Sequence, residues 1–364
     1  MKIAIVINTS WNIYNFRMGI VKALLAQGHQ VVAIAPHDDS TQLLIDAGCK
    51  YVPIVMENKG ANPLSDFKLI LDFYKIYKSE KPDYILQYTI KPNIYGSIAA
   101  KLAGIPTINN VSGLGTVFLH DNLVSKIALG LYKFAFRFPK KVFFQNADDK
   151  QLFIDRKLIN ASKCDVLPGS GVNLSQYQAV EYTKKDPFTF LVIARLLFDK
   201  GIVEFVDAAK LIHQKFPSAQ FQLLGFTDFD SNMGIPEVTL NQWIEEGIVI
   251  YLGHTKDVKP FIQNADCVVL PSYREGTPKA LIEALALQKP IITTNVPGCK
   301  ETVIDNENGY LCEVKSANDL AAKMLKMIQN SEQTLASMAS KGRKLAESKF
   351  DEKIVIQKYL DELK

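Results

Sequence analysis

The chain has 364 residues, 48% hydrophobic and 22% charged, with a formal net charge of +4. That length is too great for one ordinary doubly wound domain and comfortable for two, and the charge is too mild to point to a nucleic-acid binder. Five scattered cysteines (Cys49, Cys164, Cys267, Cys299, Cys312) without any C-x-x-C pair exclude a disulfide framework or zinc site and fit a reducing cytoplasm.

The opening MKIAIVINTS is too short for a signal-peptide core and reads as a first buried strand. No uncharged apolar run reaches the roughly 18 residues that a spanning helix needs, so the expectation is a cytoplasmic protein, soluble or peripheral to the membrane. Strands are expected at 2–7, 30–35, 51–55, 83–88, 106–111 and 141–146, with helical segments such as 17–27 and 95–102 between them. Short apolar runs alternating with helices imply a parallel sheet covered on both faces.

Within this half, 123–141 (LVSKIALGLYKFAFRFPKK) carries Lys126, Lys133, Arg137, Lys140 and Lys141 and no acid. Such a basic amphipathic segment can lie on an anionic membrane surface. It can equally be a core-facing helix with a solvated basic side, and both readings stay open.

The pattern restarts after the polar stretch 181–187 (EYTKKDP), with strands expected at 188–193, 219–224, 248–252, 267–271, 290–294 and 310–314. Phe205, Ala209, Ile212 and Phe216 form a helical stripe between the first two. The fold expected is therefore α/β: two Rossmann-like domains, 1–180 and 181–350, each a parallel sheet with helices on both faces, flanking a cleft. The terminal segment 351–364 is amphipathic through Ile354, Ile356, Tyr359, Leu360 and Leu363. It either caps its own domain or crosses back to the first.

The most informative stretch is 272–283 (SYREGTPKALIE), directly after the strand CVVLP and so at a strand's carboxyl end, where open α/β sheets bind ligands. Thr277 then Pro278 reads as N-cap then first helical residue, and Gly276 permits a close backbone approach. The helix start then offers free N–H groups and a positive dipole end to a diphosphate. Glu283 lies in that helix among Ala280, Leu281, Ile282, Ala284 and Leu285. A buried carboxylate is costly unless hydrogen-bonded, and sugar or ribose hydroxyls are suitable donors. Glu275, nearer the mouth, could hold hydroxyls of a transferring sugar. The plainer reading makes Glu275 a loop carboxylate and pairs Glu283 with an Arg or a backbone amide.

A second element, Arg195-Leu196-Leu197-Phe198-Asp199-Lys200-Gly201, follows the strand FTFLVI. Arg195 offers a planar fork and Lys200 a point charge, both suited to phosphate oxygens. Asp228-Phe229-Asp230 has a D-x-D form, but it lies in a polar loop that turn chemistry explains equally well. No full G-x-G-x-x-G fingerprint occurs, which disfavours a nicotinamide dehydrogenase.

R-x4-K-G after the second domain's first strand, with E-x7-E across SYREGTPKALIE, resembles the retaining family 4 glycosyltransferases of the GT-B fold. VIAR, LLG (223–225), YLGH (251–254) and TNVPGCKE (294–301) continue the likeness. The resemblance implies that Arg195 and Lys200 bind the donor diphosphate and stabilise the departing nucleotide. It implies that Glu275 contacts the donor sugar, Glu283 the ribose, the Gly276, Thr277 and Pro278 backbone the phosphate, and that His254 and Thr255 lie near the base. It also implies no cofactor and no metal requirement.

If the second half holds the donor, the first should hold the acceptor. Its strand-end loops single out Asn15, Lys91, Ser112 and Gly113, and His120 is a further acceptor-side candidate, although a lone histidine is more often structural. The Asn15-Phe16-Arg17 helix entry followed by SGLG resembles bacterial enzymes that extend undecaprenyl-diphosphate-linked sugars, in particular those adding N-acetylgalactosamine to a lipid-linked diacetylbacillosamine. Ser112-Gly113 stands where many relatives carry a histidine–glycine pair. The expected activity is transfer of an N-acetylhexosamine from a UDP-sugar to a lipid-linked saccharide at the inner face of the cell membrane. The rival readings are a sugar-nucleotide epimerase of the same fold and a non-catalytic sugar-nucleotide-binding subunit.

Overall fold

The computed structural model describes residues 1–57, 62–114, 123–229 and 231–364. They form two compact units: Met1–Ser170 with Glu352–Lys364, and Gly171–Asp351.

In the first unit, β1 (Lys2–Val6), β2 (Gln30–Ala35), β3 (Lys50–Pro53), β4 (Tyr84–Tyr88), β5 (Thr107–Val111), β6 (Lys141–Phe144) and β7 (Cys164–Val166) make one sheet. Its order is β3-β2-β1-β4-β5-β6-β7, every pair parallel. Successive strand residues face opposite sides, so the unbroken apolar run of β1 feeds two cores. Ala4 and Val6 pack with Phe73, Tyr77, Phe144 and Phe153, while Ile3 and Ile5 pack with Ile20, Leu24 and Tyr359.

The helix after β1 spans Ser10–Ala26. It begins well before residue 17, where it was expected, because Thr9 caps it by accepting from the Asn12 N–H at 3.0 Å. The helix expected at 95–102 is Ser97–Ala103, entered through a π-helical turn at Pro92–Gly96. The terminal helix Glu352–Glu362 crosses back to this unit: Val355, Tyr359 and Leu363 are buried against the β1 core, and Asn110 donates to the Tyr359 hydroxyl at 3.0 Å.

The basic segment contains the helix Leu123–Ala135. Tyr132, Ala135 and Phe136 turn into the core while Ile127, Lys133, Phe134 and Arg137 are exposed.

The second unit has β8 (Thr189–Ile193), β9 (Gln220–Leu224), β10 (Ile250–Tyr251), β11 (Cys267–Leu270), β12 (Ile291–Thr294) and β13 (Gly309–Cys312) in the order β10-β9-β8-β11-β12-β13, again all parallel. Phe190 and Val192 pack with Phe205 and Phe221 on one face, Leu191 with Leu281, Ile282 and Leu285 on the other. The stretch 181–187 is stitched to this unit. Asp266 accepts from the backbone N–H groups of Lys185 and Thr189, both at 2.8 Å, and Lys184 Nζ donates to Ile328 O at 2.7 Å.

All five cysteines are free and buried. Among the described residues no helix is long and apolar enough to cross a membrane. In each sheet the strand order reverses at one place, between β1 and β4 and between β8 and β11. Ligands of doubly wound sheets bind at the carboxyl ends of the strands beside such a reversal.

Candidate active site

The reversal in the second sheet is where the two informative motifs meet. The loop after β8 carries Arg195, whose side chain is exposed, and then anchors itself through buried Leu196 and Leu197. It ends in a single 3₁₀ turn, Phe198–Lys200, closed by Gly201 at φ +70°. A side chain at Gly201 would collide with the Pro271 carbonyl oxygen, so only glycine lets this loop run against the end of β11.

The loop after β11 presents Glu275. Lys200 Nζ lies 2.5 Å from Glu275 Oε1, and the buried Ser272 hydroxyl donates to the same oxygen at 2.8 Å. The loops are also tied by their backbones, Tyr273 N–H to Asp199 O at 2.9 Å. Burial pushes the Lys200 ammonium down and Arg195 adds to that. The Glu275 carboxylate, with Asp199 behind it, outweighs both and holds Lys200 above its ordinary value. Arg195, Lys200 and Glu275 are thus electrostatically one cluster.

The loop after β12 braces this arrangement. Glu275 N–H donates to Pro297 O at 3.1 Å, Thr294 Oγ1 donates to Ser272 O, and a side chain at Gly298 (φ +86°) would strike the backbone of Glu275 and Gly276. The bracing bears on the helix start. The helix is Lys279–Ala286 with Pro278 as its cap residue in an extended conformation and no side-chain cap bond. Thr277, expected as the cap, lies one residue too early, because Pro278 (ψ 116°) prolongs the braced loop. The Gly276–Pro278 backbone still leads directly into the helix N-terminus.

Glu283 is buried within that helix, as are its neighbours 281–286. It meets neither an Arg nor a backbone amide: its Oε1 accepts from the Tyr177 hydroxyl at 2.7 Å and lies 3.5 Å from Lys279 Nζ. Among the described residues its Oε2 has no hydrogen-bond donor. Burial raises its carboxyl above the ordinary range, against the pull of Lys279 and Tyr177.

His254 is exposed after β10 and stacks on Phe226, which follows β9, with ring centroids 4.0 Å apart. Thr255 is occupied in its own turn, accepting from Asp257 N–H at 3.1 Å. Asp230 lies outside the described residues, among which no group of three His, Cys, Asp or Glu side chains is placed to hold a metal ion.

Sequence reasoning missed Ser272, Tyr177 and Phe226. Ser272 was inside the quoted motif, at the strand's end beside the carboxylate it contacts. Tyr177 is distant in sequence and carries no local signal.

The expected acceptor-side residues are less concentrated. Lys91 is paired with Asp66 at 3.0 Å, both largely buried, and Asp66 also accepts from Tyr95 OH at 2.8 Å. Ser112 donates to Asn110 Oδ1 at 2.9 Å and accepts a long bond, 3.4 Å, from Arg17 Nη2. Gly113 follows at φ +126°. Asn15 is half-buried on the same helix as Arg17. His120 lies outside the described residues.

Two parallel sheets, one with a charged cluster at its reversal, fit the GT-B class of glycosyltransferases, and the comparisons show it. Residues 176–345 match the family model for glycosyl transferases group 1 and residues 2–146 that for glycosyl transferase 4-like proteins. The chain belongs to this glycosyltransferase family. It is 32% identical to the N,N'-diacetylbacillosaminyl-diphospho-undecaprenol alpha-1,3-N-acetylgalactosaminyltransferase of Campylobacter jejuni, over 99% of this chain and 97% of that one. It is 25% identical to the UDP-Gal:alpha-D-GlcNAc-diphosphoundecaprenol alpha-1,3-galactosyltransferase of Escherichia coli, over 80% and 79% of the two chains. In fold it is similar to Anabaena HepE in complex with UDP-glucose, with a TM-score of 0.80, 21% identity and coverage of 100% and 99%.

Proposed function

We propose that the enzyme transfers an N-acetylhexosamine, with retention of configuration, from a UDP-sugar to a saccharide carried on undecaprenyl diphosphate, working at the inner face of the cell membrane. The observation that carries the donor half is the Lys200–Glu275 pair at the β8/β11 reversal, with Arg195 beside it. Breaking the bond from the sugar to the diphosphate places negative charge on the leaving nucleotide. Lys200, held by Glu275, and the exposed Arg195 are the cations that would stabilise it, and the Gly276–Pro278 backbone adds the helix N-terminus. With the diphosphate bound, Lys200 serves it as well as Glu275, and Glu275 turns to the sugar hydroxyls.

Glu283, whose Oε1 is taken by Tyr177, receives the ribose hydroxyls. The stacked Phe226–His254 pair borders the base. No side chain is assigned as a covalent nucleophile, and the cations that would otherwise be supplied by a metal are Arg195 and Lys200.

The acceptor half rests on the two relatives whose names specify undecaprenyl-diphosphate-linked substrates. Peripheral attachment is supported by the exposed Ile127 and Phe134 beside Lys133 and Arg137 on the basic segment.

The test is nucleotide release across a panel of UDP-sugars, with and without lipid-linked acceptor and with EDTA present. One donor should give acceptor-dependent release that EDTA leaves unchanged, and Lys200→Ala should slow it by about a hundredfold or more. Undiminished turnover in Lys200→Ala, or full dependence on a divalent ion, overturns this reading of the site.

A further inference from the structure

The first unit holds a buried cation that its surroundings do not neutralise. Arg17 is only 5% exposed. Its guanidinium lies over the Tyr88 ring, 4.2 Å from the centroid, and among the described residues its one hydrogen bond is the 3.4 Å contact with Ser112 Oγ. Nε has no partner, and among the described residues no carboxylate pairs with it. The chain of polar groups that continues from Ser112, through Asn110 to the Tyr359 hydroxyl, is neutral throughout.

A ring face offsets part of the cost of burying a cation. A guanidinium with five donors, one of them used and at long range, still asks for an acceptor that carries charge.

The position is as informative as the charge. Arg17 belongs to the helix that follows β1, and Tyr88 ends β4, so the pair sits at the strand reversal of the first sheet. Thr89, next in the chain, is held at φ +65°, and Gly113 on the neighbouring loop at φ +126°. A non-glycine residue in the left-handed region is a local strain of the kind that collects at ligand sites.

We propose that Arg17, backed by Tyr88 and Ser112, is an anion site that takes a phosphate of the acceptor. The nature of the ligand rests on the lipid-diphosphate reading of the acceptor; the existence of the site does not. It assigns the second sheet's reversal to the donor diphosphate and the first sheet's reversal to the phosphate of the substrate that receives the sugar.

The experiment compares two acceptors bearing the same saccharide, one on a polyprenyl diphosphate and one on an uncharged alkyl chain, in wild type, Arg17→Met and Arg17→Lys. Met keeps the length of the stem and its packing on Tyr88, and Lys keeps the charge. Wild type should favour the diphosphate acceptor by about tenfold or more in kcat/KM, the weight of a charge-assisted pair. Arg17→Met should lose that preference with donor KM unchanged, and Arg17→Lys should keep part of it. Removing an uncompensated buried charge should leave the melting temperature of Arg17→Met unchanged or higher.

A second arm titrates inorganic pyrophosphate into UDP-saturated protein by calorimetry, so that the donor site is already filled. Binding should be present in wild type, weaker in Arg17→Lys and absent in Arg17→Met. Arg17-dependent pyrophosphate binding without turnover of either acceptor would remove the lipid-diphosphate reading and leave the site standing. A preference retained in a folded Arg17→Met, equal loss on both acceptors, or unchanged pyrophosphate binding would overturn the site. If Arg17→Met does not fold, Arg17→Lys carries the comparison, and full loss of stability in Met with full activity in Lys assigns Arg17 a packing role instead.

Discussion

Glu283 shows how far a single buried carboxylate can be read. Its Oε1 is shared by the Tyr177 hydroxyl and the Lys279 ammonium, and burial holds its carboxyl above the ordinary range. In the proposed donor complex, ribose hydroxyls at Oε2 complete its contacts. Glu283→Gln keeps the size and an acceptor for Tyr177 but gives up the charge. It should raise the donor KM by about fivefold and leave kcat within about twofold, since hydrogen bonds to a charged acceptor are roughly 1 kcal/mol stronger than neutral ones. Steady-state kinetics at saturating acceptor give both numbers, and an unchanged donor KM would return Glu283 to a structural role.

At the scale of elements, Lys289 fastens three pieces of the second unit. It precedes β12, donates to Gln263 O at 2.9 Å at the end of the helix Lys259–Asn264, and lies over the Tyr182 ring of the stretch 181–187. Burial, with Lys185 nearby, lowers its ammonium from 10.5 to about 8, against the pull of Asp266. Because the folded value is the lower one, the charged form is penalised in the native state. The penalty is full below pH 8, where both states hold the proton. It is relieved as pH rises from 8 towards 10.5, where the unfolded chain still binds a proton that the native state has released. The unfolding free energy of wild type measured against Lys289→Met should therefore rise by about 2–3 kcal/mol between about pH 7 and about pH 10. A flat difference in urea titrations would show that Lys289 stays fully protonated in the fold.

Elements also mark what the sequence made legible. Twelve of the thirteen strands among the described residues overlap segments expected from the sequence, most plainly β1, β2, β8 and β11, whose burial on both faces needs unbroken hydrophobicity. The exception, β7, is the three-residue edge strand Cys-Asp-Val. One sheet neighbour suffices for it, and it has no run to show. Pro278 could have begun the helix or capped it from the local sequence alone. What decided it was the contact of the β12 loop with Glu275, far along the chain. The destination of the terminal helix was illegible for the same reason, since its stripe of Val355, Tyr359 and Leu363 would fit any apolar face. The cluster of Arg195, Lys200 and Glu275 was legible because each lies just after a strand, where topology brings loops together. Arg17 was not, because nothing local reveals that a guanidinium will be buried without a counter-charge.

Across the whole molecule, under the proposal the two parallel sheets divide the work by the same rule. Each has one reversal of strand order, and each reversal gathers residues suited to phosphate: Arg195 and Lys200 in the second sheet, Arg17 in the first. Neither requires an unusual net charge, and +4 over 364 residues leaves the basic groups free to act locally. The family membership supplies the reaction class, and the relatives supply the kind of substrates for which these two places are proposed. The most direct measurement is the mass and anomeric configuration of the lipid product after incubation with a UDP-N-acetylhexosamine and an undecaprenyl-diphosphate-linked saccharide. The account predicts a lipid heavier by one N-acetylhexosamine, joined with the donor's own anomeric configuration, and formed with one UDP per sugar transferred. UDP released with a free or epimerised sugar, and a lipid of unchanged mass, would contradict it.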